Sequence, residues 1–488
     1  MTTKQIEAAV TRFIEQYMEA FLVPGVAVAI VQGSQVLVCR GFGVRRVGES
    51  RLVTEDTLFP IASASKAFTT TAVGILVDEG RLSWDQPVRE YFPQLQLSDP
   101  LASQMLTLRD MACHRTGLPR HDLIWYKSPF SQAEQIRRIR YLELSHPFRS
   151  VWQYQNLMYM AMGHIMTEQA GQPWHEFIRK RIFEPLRMES SNFFIDESER
   201  HGDYVFPHLE EDGCVRAIPF YRDPEPVADG SINTNARDVA RWLLLNLNGG
   251  AYDGSVIVSR EQLANLMTPH MVVPGWPRLK EQPLCTYGLG WFIESYRGSL
   301  MIHHDGAIDG FSAAVALLPD QGVGIAILTN ADTGSYFKEA LRNFIADLFL
   351  KLDSPDWAES LLTLYVKERR SARAKTTRPN LARVLGTHPS HTLSDYAGLY
   401  EHPAYGLVDV SPLSHGLKIH YHAFQFNAAH YHYDTFAMRP DDSTWLQFMG
   451  PAWSPLITFS SGASGLVETL SMWLEPDLNR PIVFWRVS

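Results

Sequence analysis

The β pattern of this chain is split in two. Gly25 to Val31 and Gln35 to Gly43 are β-rich runs near the start, and no comparable pattern returns until Tyr287 to Ser295, Leu300 to His303, Phe311 to Pro319 and Val323 to Asn330. Gln32-Gly33-Ser34 between the first two runs suits a tight turn, so they read as a hairpin. From Trp84 to about Pro283 the pattern is helical instead, as in Tyr159 to Gln169 and Trp174 to Ile182, with long polar loops between segments. An opening helix lies within Met1 to Phe21, and an amphipathic helix is predicted over Phe337 to Leu350. This order implies an α+β fold: an antiparallel sheet flanked by helices, into which a mainly helical subdomain is inserted.

At 488 residues the chain exceeds what one hydrophobic core normally serves. On this reading residues 1–350 form the sheet domain, 351–392 a helical linker and 393–488 a second domain. The linker carries a helix marked by Trp357, Leu361, Leu364 and Tyr365, then a basic stretch from Lys367 to Arg378 ahead of Pro379. From Leu393 short alternating runs dominate, among them Leu417 to Phe426, His430 to Met438 and Ile482 to Val487, which predicts an antiparallel β-barrel. An apolar content of 45% and a charged content of 20% exclude disorder. A formal charge of −9, with basic residues gathered only in the linker, argues against a nucleic-acid partner. Cys39, Cys113, Cys214 and Cys285 have no disulfide or zinc spacing and are expected to be buried thiols. No signal-peptide pattern opens the chain, and Leu22 to Val31 is too short to span a bilayer, so a cytoplasmic protein without a membrane partner is expected.

Ser63-Ala64-Ser65-Lys66 opens an apolar helical stretch that runs to Glu79 and stops at Gly80. The spacing puts the Ser63 and Lys66 side chains one turn apart on one face, their Cβ atoms roughly 5 to 6 Å apart. A serine hydroxyl is a poor nucleophile until a base takes its proton, and a lysine becomes that base when apolar surroundings disfavour its charge. Ser63 at a helix start also offers its own backbone N–H to a developing oxyanion. A second match, Ser335-Tyr336-Phe337-Lys338, begins the late helix without catalytic company and reads as an N-cap followed by an exposed lysine.

The first match has company in Tyr154-Gln155-Asn156, at a helix start, and His304-Asp305-Gly306, at the end of a strand. Ser-x-x-Lys, Tyr-x-Asn and His-x-Gly in this order resemble the three active-site motifs of the class C branch of the serine β-lactamases and penicillin-binding proteins. Thr107 to Asp110, His114 to Pro119, Glu184 to Met188 and Tyr287 to Trp291 extend the resemblance, which covers roughly residues 8 to 350. It implies that Ser63 forms an acyl-enzyme, that Lys66 and Tyr154 move its proton to the leaving group, and that Asn156 holds the substrate amide and the lysine. It also implies that the N–H groups of Ser63 and Ala307 form the oxyanion hole, that Gly306 lets a strand edge approach the substrate, and that His121 contacts the substrate amide. His304 stands where the classical pattern has lysine, which makes a charge there dependent on pH near neutrality. Asp305, if it faces the cleft, would repel a substrate carboxylate.

Tyr396 to Tyr400 and His430 to Asp434 resemble the lipocalin-like domain appended to D-residue-specific serine peptidases and to penicillin-binding-protein-type thioesterases. The resemblance therefore implies a serine hydrolase, a peptidase, amidase or esterase, acting without a cofactor on a small peptide or ester, D-residue-containing by analogy. A peptide cyclase of nonribosomal peptide synthesis and a non-catalytic ligand-binding protein are the alternatives, and a homo-oligomer stays open. His420, His422, His430 and His432 alternate on two strand-like runs but lack a carboxylate or cysteine at ligand spacing, so no metal site is expected.

Overall fold

The computed structural model describes residues 1–275, 279–376, 383–441, 445, 448–449 and 456–487, with residues 369–376 as helix backbone alone. The end of the expected basic linker, at Thr377 to Pro379, lies outside the described residues. Packing divides the chain into two compact units. Met1–Phe92, Leu106–Arg115 and Met158–Tyr365 form the first; Pro93–Met105, Thr116–Leu157 and Val366–Ser488 form the second.

The first unit is built on an eight-stranded antiparallel sheet. Its strands are β1 (Gly25–Gln32), β2 (Gln35–Gly43), β3 (Met271–Val272), β4 (Leu284–Tyr287), β5 (Phe292–Tyr296), β6 (Ser299–Ile308), β7 (Phe311–Leu318) and β8 (Val323–Thr329), in the spatial order β2-β1-β8-β7-β6-β5-β4-β3. The early hairpin thus joins the late strands through β1 against β8, as the interrupted pattern requires. β1 is buried from Gly25 to Val31 because both of its faces are covered. Val26, Val28 and Ile30 meet Val10 and Ile14 of α1 (Thr3–Tyr17) and Phe337, Leu341 and Ile345 of the late helix Gly334–Leu350 in one core. α1 is started by a capping box in which Thr2 and Gln5 satisfy each other's backbone N–H. On the other face lie α2 (Ser65–Asp78) and the helix Ala236–Leu247, where Phe68 stacks on Trp242 at 3.7 Å between centroids. Such a pair contributes about 1 kcal/mol beyond its burial.

The second unit contains a closed barrel of eight strands, from Gly398–His402 to Ile482–Arg486. The strand Gly406–Leu413 shows why: from Gly406 to Val410 alternate residues are buried and exposed, the period-two pattern of a sheet wet on one side. Tyr400, Tyr421, Phe426, Phe436 and Phe484 are among the side chains that fill it. Residues 116–157 of the inserted helical region pack in this unit. His422 and His430 each point a ring nitrogen at a backbone carbonyl, of Tyr405 at 3.0 Å and of Tyr433 at 2.9 Å.

Two expectations need correction. Cys113 and Cys285 are buried, but Cys214 is exposed on a short hairpin strand. Lys338 is not an exposed lysine and Ser335 is not an N-cap. Thr333 precedes the late helix, and Lys338 is buried beside Asp305. Among the described residues no helix is long and apolar enough to cross a membrane, and no group of three or more His, Cys, Asp or Glu is arranged to hold a metal ion.

Candidate active site

Ser63 lies in a one-turn 3₁₀ segment, Ala62–Ala64, that runs directly into α2. Ala62 enters it with φ of +44°, a left-handed conformation that costs a non-glycine residue about 1–2 kcal/mol. Such strain persists only where the surroundings impose it. Here the Ile61 N–H bonds Ile232 O at 2.9 Å, and Ser65 Oγ accepts the Ile232 N–H at 3.2 Å, so one residue pins the turn from both sides. The tight turn keeps Ser63 and Lys66 aligned, as residues three apart are in 3₁₀ geometry.

The Lys66 side chain is fully buried. Its Nζ donates to Ser63 Oγ at 3.1 Å and to Asp229 O at 3.0 Å, and the Asp229 carboxylate lies 3.8 Å away. The Tyr159 ring, on the helix that Asn156 opens, has its centroid 5.3 Å from Nζ. Thr69 of α2 donates to Ala228 O at 2.6 Å and so ties the Asp229 loop to the helix that carries Lys66. An amine in hydrogen-bond reach of the hydroxyl can exchange a proton with it, which is what a serine nucleophile requires. Nothing in the sequence marks Asp229, because its contribution is partly a main-chain carbonyl, which no side-chain motif encodes.

β6 supplies the facing edge. β5 pairs with it only as far as Phe292 opposite His303, whereas β7 continues to Phe311 opposite Ile308. The two-residue turn Asp309-Gly310 makes Ile308 and Phe311 a bonded pair, so by alternation Ala307 directs its N–H away from β7, toward the side β5 has vacated. The Ser63 turn packs there. A Cβ at Gly306 would fall 1.9 Å from Ile61 O and 3.1 Å from Ala64 N, so only glycine lets the strand lie so close to the turn. Gly306 thus lets the strand approach the turn that carries Ser63.

His304 and Asp305 point to opposite faces of β6, as successive strand residues must. His304 is buried, with Nδ1 2.7 Å from Asp305 O and Nε2 2.9 Å from Tyr287 Oη. A carbonyl only accepts, so Nδ1 carries the proton and Nε2 accepts from the tyrosine. Burial, and then the nearby Lys66 charge, push the imidazole down to about 3, against the expectation of a charge that changes near neutrality. The fold refuses a proton that the unfolded chain accepts. This contribution to stability is therefore complete above pH 6.5 and is lost, at about 1.4 kcal/mol per pH unit, as the pH falls from 6.5 toward 3. For activity, His304→Gln is expected to leave the limbs of the pH–rate profile between pH 5 and 9 where they are. A limb near 6.5 that disappears in the variant would show that His304 titrates.

Asp305 faces the late helix. Lys338 Nζ lies 3.0 Å from its carboxylate, Arg342 at 3.5 Å and His303 at 3.8 Å, while His303 also meets Glu294 at 3.0 Å. Burial alone would raise this carboxyl, but Lys338, His303 and Arg342 hold it well below the usual carboxylate range. The expected repulsion of a substrate carboxylate in the cleft therefore does not arise from Asp305. Lys338→Met is expected to destabilise the protein by about 2 kcal/mol, less than a fully buried pair, since Asp305 is 36% exposed and keeps Arg342 and His303 beside it. Urea unfolding at pH 7 measures this, and an unchanged midpoint would show that the pair contributes nothing.

The remaining candidates lie in the second unit. Tyr154 lies two residues before the helix Asn156–Ala170, with the Arg120 guanidinium 5.1 Å from its ring centroid. Asn156 Nδ2 donates to Asp122 at 3.2 Å. His121, expected against the substrate amide, is 1% exposed, and both its ring nitrogens have protein partners, Tyr405 Oη at 2.7 Å and Glu143 O at 3.0 Å. Burial pushes it down to about 4.

The family model described as Beta-lactamase matches residues 10–348, and a domain of unknown function, DUF3471, matches residues 382–484. The chain is 28% identical over 418 residues to an unguisins hydrolase of Aspergillus campestris, covering 80% of this chain and 75% of that protein. Among solved structures, the octameric penicillin-binding protein homologue from Pyrococcus abyssi superposes with a TM-score of 0.64 at 20% identity, covering 98% of this chain and 99% of that one. D-amino acid amidase from Ochrobactrum anthropi gives 0.59 at 22%, covering 71% and 98%. With a serine and a buried lysine in hydrogen-bond contact beside an open strand edge, and a family model spanning most of its length, the chain is a serine hydrolase and belongs to the Beta-lactamase family.

Proposed function

We propose that the protein hydrolyses an amide or ester bond in a small peptide, one containing D-residues, through an acyl-enzyme on Ser63. The observation that carries this reading is the 3.1 Å contact between Lys66 Nζ and Ser63 Oγ, made by a lysine with no exposure to solvent. Ser63 Oγ attacks the carbonyl carbon as Lys66 takes its proton, and the N–H groups of Ser63 and Ala307 receive the oxyanion. Collapse of the tetrahedral intermediate breaks the bond to the amine or alcohol, which leaves with a proton delivered through Tyr154. A water then attacks the acyl carbon as the same groups take its proton; the bond to Ser63 Oγ breaks, the acid leaves, and Lys66 returns a proton to Oγ. Asn156 holds the substrate amide, Gly306 keeps the strand close, and the neutral His304 orients the edge through Tyr287.

The preference for peptides and D-residues draws on two similar proteins: the relative that is an unguisins hydrolase and the structural neighbour that is a D-amino acid amidase. The four cysteines, all free, suit a reducing compartment and so the cytoplasm. The decisive experiment pairs a fluorophosphonate probe with a panel of D- and L-aminoacyl p-nitroanilides and esters. Labelling of Ser63 with turnover of D-substrates supports the reading. Turnover of L-substrates alone overturns the stereochemical part, and a folded protein that takes no label is a receptor rather than an enzyme.

A further inference from the structure

We infer that Tyr405 and Glu475 of the C-terminal barrel are positioning residues for Tyr154 and Asn156, acting through His121. The inference rests on the role proposed above for the Tyr154 motif and assigns the barrel a part in it.

The connection can be followed atom by atom inside the second unit. Glu475, in the loop between the last two barrel strands, accepts the backbone N–H of His121. Tyr405, in the turn between the first two, meets the His121 ring at Nδ1. Nε2 donates to Glu143 O, so Nδ1 is the acceptor and the tyrosine hydroxyl the donor, which fixes the tautomer and the ring plane. His121 has φ of +47°, a left-handed conformation uncommon outside glycine, though histidine adopts it more readily than most side chains. The barrel contacts impose it from two directions, one on the main chain and one on the side chain.

The course of the chain beyond His121 depends on that conformation. Asp122 begins a 3₁₀ turn, and its carboxylate receives Asn156 Nδ2 at 3.2 Å, Trp125 Nε1 at 2.7 Å and the Arg120 guanidinium. Arg120 in turn lies over the Tyr154 ring. Gln155, between the two motif residues, donates to Pro119 O. Residues 119–122 and 154–156 are therefore zipped together, and the free end of the zip is His121 in the grip of the barrel. Other contacts stiffen the same junction: Arg138 donates to Pro403 O at 2.7 Å, and Tyr126 stacks on Phe448 at 3.6 Å. The network reaches Tyr154 and Asn156 through His121, Asp122 and Arg120, so the effect of the barrel residues is on placement.

The test uses the full-length enzyme, p-nitrophenyl acetate as substrate and fluorophosphonate labelling of Ser63 as a second readout. Tyr405→Phe and Glu475→Ala are expected to lower kcat by roughly 10- to 100-fold with KM changed less than about threefold, since a misplacement of about 1 Å has effects of this size. Glu475→Gln keeps an oxygen for the His121 N–H and is expected to stay within about threefold of the parent. Because the barrel residues act through the motif, their losses are expected not to multiply with that of Tyr154→Phe. Tyr405→Phe removes one oxygen only, so it remains informative if Glu475→Ala fails to fold. Parent-like rates in Tyr405→Phe overturn the inference. So does a Glu475→Gln enzyme as slow as Glu475→Ala, and so do losses that multiply fully with Tyr154→Phe. A parent enzyme whose Ser63 takes no label overturns the functional reading and this inference with it. A labelled parent indifferent to the barrel variants overturns the inference alone.

Discussion

Ser63→Ala is expected to abolish the covalent adduct and to lower hydrolysis by something on the order of 10⁶, the size seen when the nucleophile of a serine hydrolase is removed. Nothing else in the Ser63 turn replaces it. Ser65 Oγ, two residues on, is engaged with the Ile232 N–H. The only other Ser-x-x-Lys pair in the chain is spent elsewhere, with Ser335 Oγ 3.1 Å from Ser312 Oγ and Lys338 held by Asp305. The fold should tolerate the change, because the hydroxyl accepts its hydrogen bond from Lys66, whose Nζ keeps Asp229 O. Intact-protein mass spectrometry after exposure to a fluorophosphonate or a β-lactam gives the answer. An equal mass increase in Ser63→Ala, or a label found on Ser335, would mean that the nucleophile is misassigned.

Gly306→Ala is expected to lower activity sharply, though less than loss of the hydroxyl, while adding a single methyl group. The new Cβ would stand 1.9 Å from Ile61 O, a main-chain atom in the segment that carries Ser63. A side chain could swing aside, but this carbonyl cannot move without moving the turn that Ile232 holds. The strand must retreat instead, and the Ala307 N–H retreats with it from the position where an oxyanion would form. Loss of one such donor lowers kcat by on the order of 10²–10³. Overpacking destabilises the fold by roughly 1–3 kcal/mol as well. Kinetics of acylation together with a melting curve separate the two effects. Parent-like acylation at an unchanged melting temperature would show that strand and turn are not held at this distance.

How much of the molecule was legible in the sequence depends on the range of the interactions. Ser63 and Lys66 could be paired from their spacing because three residues is one turn, and the interrupted β pattern identified the sheet because alternation is a local property. The opposite orientations of His304 and Asp305 were also implicit in that alternation, since adjacent strand residues face opposite sides. Their environments were not. The hydroxyl that His304 meets belongs to Tyr287, on another strand, and the carboxylate that Lys338 meets is Asp305, across the sheet–helix interface. The barrel was readable strand by strand from its period of two, yet nothing in that period says that its loops bind His121. Asp122 and Arg120 carry no mark in the sequence for the same reason: their importance lies in bonds to a segment beginning more than thirty residues later.

The His121–Glu475 bond spans 354 residues of chain. On a ribosome adding roughly 5–20 residues per second, the loop waits about 20 to 70 seconds for its partner to be made. Contacts of such high order form late, after the local ones. During that interval Ser63 and Lys66 already share a helical turn, but the left-handed His121 has no carboxylate to hold it. Synthesis thus proceeds from nucleophile to clamp, and the order of the chain keeps the two apart until the end. A polypeptide released before residue 475 carries the whole serine–lysine pair and lacks the group that secures the loop beside Tyr154.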